Sequence, residues 1–108
     1  MDPDKQSAQS LVRLVEVSHN CKADFFFIGG SLLLKDNFEA TVVTLKSHSK
    51  IPVIIFPGNN YQVSSKADAI LFLSLISGRN PEYLIGQQVV AAPKIKQAGI
   101  EVIPTGYI

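Results

Sequence analysis

The stretch from Ala69 to Gly86, AILFLSLISGRNPEYLIG, limits the fold more than any other part of the chain. Ile70, Leu71, Phe72, Leu73, Leu75 and Ile76 make a nearly unbroken apolar run with only Ser74 inside it. A strand wetted on one face alternates, whereas a run like this belongs to a strand covered on both faces, as in parallel sheets. Ser77 and Gly78 end the run, Arg79 follows, and Asn80-Pro81 has the chemistry of a helix start. The Asn oxygen takes up a free backbone N–H, and proline at the first helical position has no N–H to leave unpaired. A strand that feeds a helix through a short polar loop is half of a βαβ crossover. Ligands of parallel α/β folds sit at the carboxyl ends of such strands, so Ser77 to Asn80 is expected at the rim of any site.

The rest of the chain repeats that unit. Residues 7–20 read as a helix, with Leu11, Leu14, Val15 and Val17 or Ser18 near the 3.6 period. Residues 23–28 read as a strand in which Phe25, Phe26, Phe27 and Ile28 leave no wet face, closed by Gly29-Gly30-Ser31. An apolar loop, Leu32-Leu33-Leu34, follows. Asp36 and Glu39 have capping-box spacing, and Phe38, Val42 and Leu45 mark the buried stripe of a second helix. Residues 51–56 form the next strand, ended by Pro57-Gly58-Asn59-Asn60. The segment 59–66 is polar and lacks a helical period, so an irregular loop stands where a crossover helix is due. After the strand at 69–76, residues 81–97 read as a helix with Leu84, Ile85, Val89 and Ala92 as its stripe. Pro93 is expected to kink it or start a second short helix, and Gly99 to end it. A last strand covers 100–107.

This order predicts four parallel strands with helices packed outside. Each strand ends in small or polar residues, and a parallel sheet places all four clusters at one edge. The common edge is the argument for a single site.

The totals narrow the classes. At 108 residues the chain holds one domain, and a formal charge of +1 gives no case for nucleic-acid binding. Cys21 is the one cysteine, which suits a reducing compartment. No apolar run reaches the length of a membrane span, and MDPDKQS is unlike a signal peptide, so a cytoplasmic protein is expected.

Each candidate has a plain alternative. Asp2 and Asp4 are hard oxygen donors for a divalent metal, or a solvated tail with a helix cap. Gly29-Gly30-Ser31 brings backbone N–H groups and a hydroxyl to a phosphate, or is only a turn. Pro57-Gly58-Asn59 divides the same way. Arg79 and Asn80 suit an anionic ligand, although capping is a sufficient role for Asn80. His19 and His48 lie near helix ends and are assigned no catalytic role.

Three segments are more specific. Gly29-Gly30-Ser31, Ile51 to Asn59 (IPVIIFPGN) and Leu75 to Gly86 (LISGRNPEYLIG) closely resemble the geranylgeranylglyceryl phosphate synthase family, the PcrB-like prenyltransferases. Asp2-Pro3-Asp4-Lys5 and Pro104-Thr105-Gly106-Tyr107-Ile108 resemble the same family in the same order, so the likeness covers essentially the whole chain. The resemblance implies about half of a (βα)₈ TIM barrel, with an irregular segment in place of the third helix. It implies a Mg²⁺-dependent transfer of a geranylgeranyl or other long prenyl group from its diphosphate to sn-glycerol 1-phosphate, in ether-lipid synthesis. Asp2 and Ser31 would then be metal ligands. Gly30, Ser31, Asn59, Arg79, Asn80 and Tyr107 would line the substrate site, with Tyr107 facing the glycerol phosphate as the catalytic residue. Leu32-Leu33-Leu34 is a candidate for part of the prenyl groove or for ordinary packing.

The departures from the family pattern are expectations too. Residues 1–108 form a partial barrel domain without the strand that delivers the first Asp and without the last strands with their Gly-rich phosphate loops. Such a chain is expected to be inactive alone and to self-associate as a homo-oligomer, with access to a membrane surface for its lipid product. The alternative is a non-catalytic half-barrel that binds phosphorylated ligands or serves assembly.

Overall fold

The computed structural model describes residues 1–30, 35–82 and 86–108. In chain order they form a 3₁₀ turn (Pro3–Lys5), α1 (Ala8–Asn20), β1 (Phe26–Ile28), α2 (Lys35–His48), β2 (Val53–Ile55), β3 (Ala69–Leu75), α3 (Gln87–Ala98) and β4 (Glu101–Tyr107). The four strands make one parallel sheet in the order β1-β2-β3-β4. Phe26 lies opposite Val53, Ile54 opposite Ala69, and Leu71 opposite Ile103. No helix forms over residues 57–67, as the missing period predicted. β1 and β2 are shorter than expected, three residues each.

Local chemistry accounts for the helices. Ser7 caps α1: its Oγ accepts the Ser10 N–H while Ser10 Oγ accepts the Ser7 N–H, a capping box closed by two serines. Leu11 and Val15 are buried one turn apart, and Val17 points outward. α2 begins at Lys35, so Asp36 lies inside the helix rather than at its cap. Its predicted stripe, Phe38, Val42 and Leu45, is fully buried.

α3 corrects the sequence reading. Ala91 and Ile95 face the core, whereas Val89 is 64% exposed and Ala92 is exposed. Leu84 and Ile85, the other expected stripe residues, lie outside the described residues. Pro93 sits on the solvent side and the helix runs through it, because the carbonyl deprived of a partner there belongs to exposed Val89. Gly99, at φ +68°, closes α3 as expected.

The core has two layers. Phe26, Ile28, Val53, Ile55 and Ile70 point outward into the helices and form the main core with Leu11, Val42, Leu45, Ala91 and Ile95. On the inner face, Ile54, Ala69 and Leu71 cluster with Leu73 and Ile103. Phe25 and Phe27 also belong to the inner face and stay about half exposed, so β1 does have a wet side. The described residues cover that face only in part. Among them, no helix is long and apolar enough to cross a membrane.

Candidate functional site

Two residues, Gly29 and Gln62, draw the carboxyl ends of β1 and β2 together, and a third, Met1, pairs with the other edge of β1. Met1 lies along the free edge of β1. Its ammonium donates to Phe27 O at 2.8 Å, and its carbonyl accepts the Gly29 N–H at 3.0 Å, the bond pattern of a parallel bridge opposite Ile28. Asp2 is thereby placed at the carboxyl edge of the sheet. Gly29 sits so close to β2 that a Cβ there would lie 1.8 Å from Phe56 O, so only glycine allows this approach. Gln62, 3% exposed, completes the junction. Its Oε1 accepts the N–H groups of Gly30 (3.3 Å) and Gly58 (3.0 Å), and its Nε2 donates to Gly30 O.

Two clefts open beside this junction. One of about 440 Å³ is walled by Met1, Phe27, Gly30, Phe56, Leu73 and Tyr107. The Tyr107 ring stands edge-on to Phe56, centroids 5.8 Å apart at 80°, a favourable aromatic geometry. The second, about 420 Å³, lies between the irregular segment and α3, with Asn59, Val63, Phe72, Gln88 and Tyr107 in its wall. Tyr107, at the end of β4, borders both.

The expected site residues fall into distinct positions. Gly30 and Tyr107 meet at the first cleft, and Asn59 joins Tyr107 at the second. The Gly30 N–H is already engaged by Gln62. Asn59 Oδ1 accepts the Tyr61 N–H at 2.9 Å, an Asx turn that starts the irregular segment. Asn80 Oδ1 accepts the Glu82 N–H at 3.0 Å, the bond expected from Asn80-Pro81, although the helix expected over 81–97 is described as α3 only from Gln87. Arg79 is exposed and forms no hydrogen bond or ion pair among the described residues; neither it nor Asn80 lines either of these two clefts. Ser31 and Leu32-Leu33-Leu34 lie outside the described residues.

Asp2 is the candidate metal ligand. Its Oδ1 accepts the Asp4 N–H at 3.2 Å and caps the 3₁₀ turn, while Oδ2 is 3.5 Å from Lys5 Nζ. Among the described residues no group of three acidic, His or Cys side chains forms a metal cage. Asp2 offers one carboxylate, so a hard divalent ion held there would take its other oxygen ligands from water or a bound anion.

Sequence reading missed Gln62, Phe27 and Phe56. Gln62 is hidden in a polar segment without a period. The two phenylalanines look like buried strand residues until the sheet's inner face is seen.

The chain matches the PcrB family over residues 1–108. It is 46% identical over 108 residues to a Spirosoma linguale protein named geranylgeranylglyceryl phosphate synthase, covering all of this chain and 43% of that one. It is 49% identical over 108 residues to the Flavobacterium johnsoniae protein of the same name, of which it covers 44%. The chain thus spans less than half the length of the curated relatives it matches. The crystal structure of (S)-3-O-geranylgeranylglyceryl phosphate synthase from Thermoplasma acidophilum, in complex with substrate sn-glycerol-1-phosphate, superposes with a TM-score of 0.91 at 36% identity. That match covers 98% of this chain and 43% of the other. Wild-type GGGPS from Thermoplasma volcanium gives 0.90 at 33% identity, with 99% and 43% covered.

Proposed function

The chain belongs to the PcrB family, and from that premise we propose that it carries the diphosphate side of a prenyltransferase of ether-lipid synthesis. Its four parallel strands and alternating helices make about half of the family's barrel. In the complete barrel a hydroxyl oxygen of sn-glycerol 1-phosphate forms a bond to the first carbon of a geranylgeranyl or other long prenyl chain. The bond from that carbon to diphosphate breaks, diphosphate leaves with the electron pair, and the hydroxyl loses its proton.

The observation that carries this reading is the aromatic cleft at the carboxyl edge, beside Met1 and Asp2. Ionisation of an allylic diphosphate leaves positive charge on carbon, and a wall that holds the aromatic rings of Phe27, Phe56 and Tyr107 suits such a charge while displacing water. Asp2 would hold a Mg²⁺, which supplies neutralising charge to the diphosphate when bound. Arg79, exposed and without an ion pair among the described residues, offers a guanidinium to the same anion from the loop after β3. Asn59 and Asn80 commit their oxygens to local backbone, and among the described residues their NH₂ groups are left for a ligand. Tyr107 presents its phenol to the glycerol phosphate.

The 108-residue chain alone is inactive on this reading. Phe27 and Tyr107 remain 45% and 48% exposed, so water would capture a carbocation formed between them. The half-exposed Phe25, Phe27 and Tyr107 support self-association as part of this reading. A single exposed cysteine accords with a cytoplasmic location.

The test assays ether product by mass spectrometry from geranylgeranyl diphosphate, sn-glycerol 1-phosphate and Mg²⁺. A complete barrel carrying residues 1–108 should form product, and Asp2→Ala should abolish it without loss of helical signal. No product from that barrel sinks the prenyltransferase reading, and undiminished turnover in Asp2→Ala removes Asp2 from it. Product from the 108-residue chain alone, free of full-length enzyme, would overturn its inactivity.

A further inference from the structure

We propose that Gln62 is the positioning residue of this site: its carboxamide sets the separation of the loops after β1 and β2, and so shapes the mouth that receives the diphosphate. The ligand named here rests on the prenyltransferase reading above.

One side chain makes three bonds to two loops, at Gly30 in one and Gly58 in the other. A glutamine is suited to this, since its oxygen accepts twice and its NH₂ donates. At 3% exposure these bonds have no water to replace them, so losing them leaves backbone groups unsatisfied. Both fastened glycines also line the cleft, next to Phe56 and Pro57. A shift of either loop therefore moves the aromatic wall. The helix-free segment gains a purpose: an irregular chain turns Gln62 beneath both loops.

The same geometry reassigns the glycines. The N–H of Gly29 goes to Met1 O, and those of Gly30 and Gly58 go to Gln62 Oε1. These three N–H groups do not form an anion-binding nest. The loops give the mouth its shape, and other donors bind the anion.

The experiment uses the ¹⁵N-labelled complete barrel carrying residues 1–108, as wild type, Gln62→Met and Val42→Ala. Methionine keeps the length of the side chain and removes its hydrogen bonds. Val42, fully buried on α2, serves as a destabilised control away from the loops. Amide exchange is followed at Gly30 and Gly58, with Phe26, bonded to Pro52 O, as reference. Inorganic pyrophosphate with Mg²⁺ is titrated by chemical shift.

In Gln62→Met, exchange at Gly30 and Gly58 should accelerate about tenfold or more beyond any change at Phe26, which follows the global stability. Pyrophosphate affinity should fall about tenfold or more, while Val42→Ala keeps wild-type affinity despite its lower melting temperature. Wild-type affinity in Gln62→Met, or an equal loss in Val42→Ala, overturns the positioning role. If Gln62→Met does not fold, Gln62→Glu decides. It keeps an acceptor for both N–H groups but loses the donor to Gly30 O and adds negative charge. Faster exchange at Gly30 or Gly58, measured against Phe26, supports the role, whereas wild-type exchange at both glycines overturns it, whatever the added charge does to pyrophosphate binding. A wild-type chain that shows no pyrophosphate response counts against the prenyltransferase reading instead. The exchange contrast then decides by itself whether Gln62 sets the loops.

Discussion

The two edges of this sheet solve the same problem, tying neighbouring strands together, with opposite chemistry. At the carboxyl edge the fastening is neutral: Gly29 against Phe56, and the Gln62 carboxamide on Gly30 and Gly58. At the amino edge it is ionic. Lys46 of α2 donates to both oxygens of Asp68 at 2.7 and 2.9 Å, and Asp68 Oδ2 accepts the Val53 N–H at 2.7 Å. His19 adds a second tie there, its Nε2 3.1 Å from Ser49 Oγ, which also accepts the Ile51 N–H. In parallel barrels the carboxyl edge carries chemistry and the amino edge stability. Neutral fastening keeps the β1–β2 junction itself free of fixed charge, and the Asp2–Lys5 pair stands beside it on the 3₁₀ turn rather than in it.

The largest effect should come from Gly29→Ala. Its Cβ would meet a backbone carbonyl rather than a flexible side chain, so β1 must part from β2. A loss of about 4 kcal/mol or more is expected in urea unfolding, enough to leave a small domain largely unfolded. A melting curve within a few degrees of wild type would show that the carboxyl edge is not closed as tightly as the geometry requires.

Next is Gln62→Met, at about 3 kcal/mol, since it leaves several buried backbone groups unsatisfied. Asp68→Ala should cost less, about 1 kcal/mol, because water reaches the Lys46–Asp68 pair and replaces what is lost. The order of these two denaturation midpoints checks the comparison. If Asp68→Ala proves the more damaging, the ionic edge carries more of the fold than its exposure implies.

Most of the fold was legible because it rests on local signals. The apolar run at Ala69–Leu75, the Asn80 cap, the Gly99 stop and the stripe Phe38, Val42 and Leu45 each need only their own neighbours to be read. The errors come from tertiary context. Val89 and Ala92 fit a helical period, but the phase of α3 is set by where Ala91 and Ile95 meet the sheet. Phe25 and Phe27 read as buried because alternation cannot be seen when both faces of a strand are apolar. The carboxyl edge was located from the small residues that end each strand, yet Gln62 was not. Its partners lie in two loops, one of them about thirty residues earlier in sequence, and nothing local marks a glutamine that turns inward. A long helix-free stretch must still satisfy its backbone, and a buried carboxamide within it is the feature to seek.

The smallest effect separates the two edges by charge alone. Burial is the largest influence on Asp68 and raises its pKa, but the Lys46 hydrogen bond, the Val53 N–H and the Lys46 charge together outweigh it and hold it below the ordinary 3.8. A carboxylate lowered on folding adds stability that is fully present above its unfolded pKa. That stability is lost as pH falls through the lower folded value, because the unfolded chain then takes up the proton first. Asp68→Asn keeps an acceptor for the Val53 N–H but has no charge for Lys46. At about pH 6 it should melt roughly 2–4 °C below wild type, the effect of about 0.5 kcal/mol in a domain of this size. Below about pH 4 the gap should narrow, and salt should narrow it at any pH. Gln62→Met offers the contrast, since it removes no titrating group and its deficit should stay level over the same range. A gap for Asp68→Asn that is flat with pH would make the amino edge as neutral in effect as the carboxyl edge, and the division of labour between them would then need another cause.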